Sequence, residues 1–194
     1  MTKSINHVSS IPMRDRIITE VGDIFYRNGT YLAGIDRIVN DLNITRATLY
    51  RHFRGKEDLV VAYLGRRHDL VRQQLTETVR EKTSSEAIHA IFDSLKAKTQ
   101  SEAFRGCAFL IAVTENPTSN AIHQTARLHK KFLHDFFDQL LPGQPELSAQ
   151  LLLLYEGVLA SSVLRPEANA AEVAKRLVAY LLASFPVTSD EAQA

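Results

Sequence analysis

Residues 34–59 read GIDRIVNDLNITRATLYRHFRGKEDL, and this stretch decides the fold. Its apolar residues recur at the three- and four-residue spacing of two short helices, not at the alternate spacing of a strand. Asn43 stands between the two helices, and asparagine tolerates the left-handed backbone that a sharp turn needs. Thr45 offers a hydroxyl that can cap the first turn of the second helix. The stretch therefore predicts a helix-turn-helix.

The second helix of this motif has an inner and an outer face. Leu49 and Phe53 are expected to pack inward against the first helix. The outer face is then basic, hydroxylated and aromatic, and it consists of Arg46, Ala47, Thr48, Tyr50, Arg51 and His52. In a DNA-binding helix-turn-helix the second helix enters the major groove, where its first residues meet the base edges. This face favours DNA binding over the alternative of a merely solvated charged surface.

Each outer side chain suits a different part of the duplex. The guanidinium of Arg46 can pair with guanine, and the methyl groups of Ala47 and Thr48 can meet thymine methyls. Tyr50 and His52 lie further along the helix, where phosphate oxygens are the nearer acceptors. The sequence thus predicts base reading at the start of this helix and backbone contacts towards its end.

Positive charge is concentrated in the same part of the chain. Residues 1–68 hold eleven Lys and Arg against seven Asp and Glu, whereas residues 69–194 hold twelve against fifteen. Lys56 opens the helix that follows the motif, where free backbone N–H groups already attract an anion. The asymmetry is typical of a nucleic-acid-binding end joined to a neutral or acidic body, although the excess is small.

The remaining sequence indicates helices throughout, so we predict an all-α fold of about nine helices. Asn28-Gly29 is expected to end the first helix, and a long helix from Lys56 is expected to bury Leu59, Tyr63, Leu70 and Val79. Thr83 to Glu86 matches a capping box. Later helices are predicted at about 105–115, 119–140, 146–164 and 170–185. We expect a three-helix DNA-binding domain over 1–55, ordered from about residue 12, and a helical effector-binding and dimerisation domain over 56–194.

Several classes of protein are disfavoured by composition. The single cysteine, Cys107, excludes an internal disulfide framework and a multi-cysteine zinc site. No apolar run at the N-terminus has the length of a signal peptide, and the expected location is the cytoplasm. The histidines at 123, 129 and 134 lack the spacing of metal ligands on one helix. We expect no metal and no cofactor.

The residues of the motif also resemble a known family. The arrangement T-L-Y-x-H-F-x-x-K-E-x-L over 48–59, within a match over about 14–62, resembles the N-terminal domain of the tetracycline-repressor (TetR) family. The resemblance implies an all-helical homodimer that usually represses transcription, with Thr48, Tyr50, His52 and Lys56 contacting DNA and Arg46 setting sequence preference. Thr45 belongs to the same surface.

Two departures from the family pattern stand out. The family usually opens its second helix with Thr or Ser, which contacts phosphate, whereas this chain has Ala33-Gly34 there. We expect a backbone N–H at Gly34 to replace that contact. The usual glycine of the turn is replaced by Asn43, which preserves the turn.

A second segment resembles a subset of the family. Residues 105–115 match the pattern R-G-C-x-F-x-x-A-x-x-E. In this family the long helix couples the DNA-binding head to a ligand pocket, and the candidate lining residues combine apolar bulk with occasional polar groups. They are Phe92, Cys107, Phe109, Val113, His123, Arg127 and Tyr155. The alternative is that they form ordinary core, and Cys107 is expected to be an inert thiol instead of a redox sensor.

The last two helices are the predicted dimer interface. Small residues allow helices to approach closely and large apolar residues supply a seam, and the candidates are Gly157, Ala160, Ser161, Leu177, Leu181 and Phe185. A palindromic operator requires a two-fold dimer. The alternative is that both helices are used internally.

We therefore predict a sequence-specific DNA-binding transcriptional regulator whose partners are double-stranded DNA, a second copy of the chain and a small-molecule effector. One alternative is a helical interaction module without DNA binding, which the Ala33-Gly34 departure favours. Another is an enzyme on a helical scaffold, but no phosphate-binding glycine loop, H-E-x-x-H or G-x-S-x-G motif occurs.

Overall fold

The computed structural model describes residues 11–185. In this range the regular elements are nine α-helices and one short 3₁₀ turn, Pro166–Ala168. The helices are α1 (Met13–Asn28), α2 (Ile35–Asp41), α3 (Arg46–His52), α4 (Lys56–Val79), α5 (Ser84–Thr99), α6 (Ala108–Glu115), α7 (Asn120–Leu140), α8 (Pro145–Leu164) and α9 (Ala170–Ser184). The all-α prediction is confirmed.

The helix ends lie where the local chemistry predicts. Gly29 ends α1 with φ +80°, and Asn43 makes the turn between α2 and α3 with φ +50°. The hydroxyl of Thr45 accepts from the backbone N–H of Thr48 at 3.0 Å and so caps α3. The capping box of α5 forms as well, since the Thr83 backbone N–H donates to the Glu86 carboxylate at 2.9 Å.

Two details differ from the prediction. Helix α6 begins at Ala108 and not at 105, because Gly106 takes φ +94° and Cys107 is extended. Leu70 was expected to be buried and is 46% exposed. Leu70 continues the face of α4 on which Leu59 and Tyr63 join the core around α1. Neither of the two apolar cores formed within residues 11–185 includes Leu70.

The apolar side chains form two cores. The first joins α1, α2 and α3 to the first half of α4, and it extends to Phe109 and Ala112 of α6 and Ile122 of α7. The second lies among α5, α7, α8 and α9, with Leu75 of α4 at its edge. The first core therefore crosses the expected domain boundary at residue 55. It places α6 in direct contact with the DNA-binding head, which consists of helices α1, α2 and α3.

Helix α8 is apolar and long. By length and composition alone it could cross a bilayer, and the core helix of a water-soluble protein passes the same test. Leu151, Tyr155 and Val158 of α8 are buried in the second core, against helices α5, α7 and α9. Its other side is left uncovered, because Leu153 and Leu164 are 73% and 80% exposed.

Candidate DNA-binding surface and ligand cavity

Helix α3 is held by its inner side chains and presents the others to solvent. Leu49 and Phe53 are buried in the first core. The backbone N–H of Ile44 donates to the Val39 carbonyl at 3.0 Å, which closes the turn before α3. On the outside, Arg46, Ala47, Tyr50 and Arg51 are exposed, and Thr48 and His52 are half-buried at the edges. The predicted outer face is therefore a single accessible surface.

Arg46 is not free on this surface. Its Nη2 contacts the Asp36 carboxylate of α2, and the side chains of the two residues are 64% and 69% exposed. An ion pair this exposed contributes only about 0–1 kcal/mol, because water and salt screen it. The guanidinium can therefore exchange Asp36 for a base edge at small cost.

Two predicted contacts prove to be engaged within the protein. The Thr45 and Thr48 hydroxyls lie 2.9 Å apart and bond to each other, so the Thr45 oxygen serves mainly as a helix cap. The backbone N–H of Gly34 donates to the Leu32 carbonyl at 3.0 Å. The expected phosphate contact from the Gly34 N–H is thus unavailable in this conformation. Helix α2 has no side-chain cap, which leaves its first-turn N–H groups to solvent.

Lys56 is tied to the loop between α1 and α2. Its Nζ donates to the Tyr31 carbonyl at 2.8 Å and lies 6.0 Å from the centre of the Tyr31 ring. Desolvation lowers the pKa of Lys56, and the nearby Glu115 carboxylate opposes that effect. Lys56 therefore positions the loop in addition to carrying charge. The sequence pattern predicted only the charge and not the contact with the loop.

Glu115, the last residue of α6, binds the same loop. Its Oε2 accepts from the backbone N–H of Thr30 at 2.5 Å, from the Thr30 hydroxyl at 2.7 Å and from the backbone N–H of Tyr31 at 3.1 Å. Asn116 adds a bond from its side-chain amide to the Thr30 hydroxyl at 2.8 Å. The sequence pattern included Glu115 but did not show that it binds the head.

A second set of bonds joins α1 to the segment before α6. The Tyr26 hydroxyl donates to the Gly106 carbonyl at 3.1 Å and accepts from the Arg105 backbone N–H at 3.0 Å. The guanidinium of Arg67 lies 4.5 Å from the centre of the Tyr26 ring. Both ends of α6 are therefore attached to the DNA-binding head.

A cavity of about 670 Å³ lies beside α6, between α7 and α8. Five of the predicted ligand-site residues line it: Cys107, Phe109, Val113, His123 and Arg127. Phe92 lies instead in the second core. Tyr155 stacks edge-on against Phe137, at 6.0 Å between ring centres, and faces two small voids. The structure thus brings five of the seven candidates together.

The cavity has apolar walls and a few charged groups. Lys130 and Glu156 pair across it at 2.8 Å. Arg127 makes no hydrogen bond or ion pair within residues 11–185, and the Nε2 of His123 is buried without a partner. The cavity suits a ligand with an apolar body and at least one polar group.

Behind the cavity wall, two histidines meet. The Nδ1 atoms of His68 and His129 lie 3.2 Å apart, so one ring donates and the other accepts. The His129 ring stacks on Phe109, with 3.6 Å between ring centres. Burial lowers the pKa of His129 to about 3, with a smaller contribution from His68. His129 is therefore neutral at physiological pH and forms part of the core.

Comparisons with known proteins agree with this architecture. The family model of the bacterial regulatory proteins, tetR family, matches residues 23–63. A TetR-family transcriptional regulator from Streptomyces coelicolor, SCO4454, is 32% identical and has a TM-score of 0.82, over 88% of this chain and 94% of that chain. The reduced form of E. coli NemR shares the fold, with 18% identity and a TM-score of 0.73 over 87% of this chain and 96% of that one.

A third match is shorter. It is to the HTH-type transcriptional activator FasR of Mycolicibacterium smegmatis, which is 26% identical over 92 residues. That match spans 45% of this chain and 42% of the relative's length. Taken with the helix-turn-helix geometry and the full-length similarity to SCO4454, these findings show that the chain belongs to the TetR family of bacterial regulatory proteins and is a DNA-binding transcriptional regulator.

Proposed function

We propose that this regulator is a cytoplasmic homodimer that represses transcription from a palindromic operator until a small-molecule effector releases it. The observation that carries the proposal is the attachment of the cavity-lining helix α6 to the DNA-binding head through Glu115 and Thr30. A ligand held against α6 would act on the DNA-binding head through this contact.

In this proposal, residues at the start of α3 and residues further along it contact different parts of the duplex. Arg46, Ala47 and Thr48 lie at the start of the helix and read base edges. Tyr50, Arg51 and His52 lie further along and bind phosphates, as does Lys56 when DNA approaches the loop. Gly34 and Thr45 contribute by shaping the two helix starts.

The proposed dimer face lies on α8 and α9. One exposed side of α8 carries a row of apolar or small residues, which are Leu153, Gly157, Ala160 and Leu164. A similar exposed row on α9 consists of Val173, Leu177 and Tyr180. Apolar stripes of this kind on two adjacent helices are typical of a helix-bundle interface. Phe185 is 42% exposed at the end of α9, whereas Ser161 and Leu181 are half-buried and frame the stripe.

Release requires a ligand that favours one arrangement of the head over another. A ligand beside Phe109 and Val113 presses on α6, whose ends hold the α1–α2 loop and Tyr26. A shift of α6 therefore changes the position of α3 relative to its dimer mate, and with it the fit to an operator.

The test is retention of DNA from the intergenic region upstream of the protein's own gene, measured by gel retardation over a range of salt. We expect retention whose affinity falls steeply as salt rises, because lysine and arginine displace counterions from phosphates. No retention above the non-specific level would favour the interaction module without DNA binding. A promoter reporter then separates repression from activation, the activity named for the FasR relative.

A further inference from the structure

Two basic side chains, on α4 and α5, have no anionic partner in the part of the chain that the structure describes. Arg67 of α4 and Lys98 of α5 line a small void of about 20 Å³, together with Cys107 and Tyr155. Within residues 11–185 neither basic side chain forms an ion pair or donates a hydrogen bond, and the guanidinium of Arg67 lies over the face of the Tyr26 ring. Glu156, on the wall of the adjoining cavity, is paired with Lys130.

Arg67 and Lys98 are both partly buried, and an unpaired cation in such a place is unfavourable because it loses part of its hydration without a replacement. Desolvation lowers the pKa of Lys98, and the positive charge of Arg67 lowers it further. Only the Cys107 thiol acts in the opposite direction. The void is therefore a position where negative charge is missing and would be stabilised.

The void lies directly beside the large cavity. Both are lined by Gly106, Cys107, Phe109, Lys130 and Leu159. The void, of about 20 Å³, has room for one small polar atom such as a carboxylate oxygen, whereas the cavity has room for an extended apolar body. Arg105 and Arg127 also line the cavity, and neither forms an ion pair with a carboxylate among the described residues. One molecule with an apolar body and an anionic end would fill both spaces.

We propose that the effector is an amphipathic organic anion, whose apolar body lies in the cavity beside α6 and whose carboxylate-type group binds Lys98 and Arg67. This inference rests on the proposed function of the cavity as an effector site. It also assigns Arg67 a part in regulation. An anion that draws the guanidinium inward moves it from the ring of Tyr26, whose hydroxyl donates to the Gly106 carbonyl and accepts from the Arg105 backbone N–H.

The test uses a neutral fluorescent reporter and two competitors of equal chain length. N-phenyl-1-naphthylamine reports occupation of the apolar cavity, and it is displaced from the full-length protein by decanoate or by 1-decanol. We expect decanoate to compete at least about tenfold more strongly than decanol, since a charge-assisted bond to a partly buried cation supplies that difference. Equal or stronger competition by decanol in the wild-type protein overturns the proposal.

Variants locate the effect. Lys98→Met removes the charge and keeps the length of the side chain, so we expect it to abolish the advantage of decanoate while leaving displacement by decanol unchanged. Lys131→Met, at a lysine that is 70% exposed on α7, is the matched control and should retain the full advantage. Loss of the advantage in both variants, or in neither, contradicts the assignment to Lys98.

Failure of this inference and failure of the proposed function are distinguishable. Gel retardation with and without decanoate measures release of DNA separately from binding. A decanoate advantage that depends on Lys98 without any effect on DNA supports the anion site and contradicts effector-controlled release by this class of ligand. Release of DNA by decanol as efficiently as by decanoate supports effector control and overturns the anion site.

Discussion

The carboxylate of Glu115 holds the backbone N–H and the hydroxyl of Thr30 at 2.5 and 2.7 Å. Glu115 is the last residue of α6, which lines the cavity, and Thr30 directly follows the glycine that ends α1. One side chain thus joins the ligand-facing helix to the loop that carries α2 and α3. The coupling between the cavity and the DNA-binding surface therefore depends in part on one side chain, which a single substitution can remove.

Glu115→Ala should weaken both stability and coupling. It leaves the buried Thr30 hydroxyl and N–H without their charged acceptor, which costs about 1–3 kcal/mol of the free energy of unfolding. Urea denaturation measures that loss, and gel retardation with an effector measures the coupling. Glu77→Ala, at an exposed position on α4, is the control and should change neither. Unaltered stability in Glu115→Ala would show that the contact is not maintained in solution.

Gly29 is required next to this contact. It has φ +80°, and a Cβ there would collide with the Glu115 carboxylate. We expect Gly29→Ala to destabilise the protein by about 1–3 kcal/mol, through backbone strain and displacement of Glu115. Thermal unfolding provides the measurement.

Gly65→Ala is the matched comparison for Gly29→Ala. Gly65 lies within α4 and has open space at the Cβ position. Alanine there should stabilise the protein by up to about 1 kcal/mol, because it favours helix more than glycine does. A lower melting temperature for Gly65→Ala than for Gly29→Ala would refute this account of the loop.

His129 should make the protein acid-sensitive. Burial lowers its pKa from 6.5 to about 3, and the charges that face it come from His68, Lys130, Lys98 and Arg67. Between pH 6.5 and 3 the unfolded chain takes up a proton that the folded protein does not. The stability from this group is therefore complete above pH 6.5 and decreases as the pH falls, by at most about 1.4 kcal/mol per pH unit.

His129→Phe should remove that part of the pH dependence and retain the stacking on Phe109. The comparison is with His134→Phe, since His134 is 56% exposed on the same helix. Urea denaturation at a series of pH values measures the slope for each variant. Identical slopes in the wild type and in His129→Phe would exclude His129 as the source.

The dimer face can be tested by adding charge. Leu177 is 44% exposed on α9, within the apolar stripe, and Leu177→Glu should shift sedimentation equilibrium towards monomer. Leu70→Glu changes a leucine of equal exposure on α4 and should leave the dimer intact. Dissociation by Leu70→Glu but not by Leu177→Glu would place the interface elsewhere.

The helix ends and the turn of the DNA-binding head could be predicted from the residue types at those positions. Thr45 and Asn43 each impose a conformation on their immediate neighbours, so the cap and the turn follow from residue type alone. The capping box at Thr83 follows for the same reason. Start and end points of helices depend mainly on residues within one turn, which a single sequence contains.

Contacts between distant parts of the chain were not predictable in that way. Glu115 and Thr30 are separated by 85 positions, and no periodicity connects them. Phe92 and Phe109 have similar apolar surroundings in the sequence, yet only Phe109 lines the cavity, since helix packing decides which side of each helix faces a void. The sequence likewise does not show that Arg67 and Lys98 lie beside the same void, because that depends on how α4 and α5 pack together.

In the proposed dimer, the outer face of α3 reads DNA once in each protomer. Selection of duplexes from a random library tests this most directly. We predict that the wild-type protein enriches a two-fold symmetric site. Arg46→Ala should change the preferred bases at matching positions in both halves, where about 1–3 kcal/mol is at stake per bidentate contact, and Tyr50→Phe should weaken binding to all sequences alike. Enrichment of the same site by the wild type and by Arg46→Ala, or of a site without symmetry, would contradict the claim.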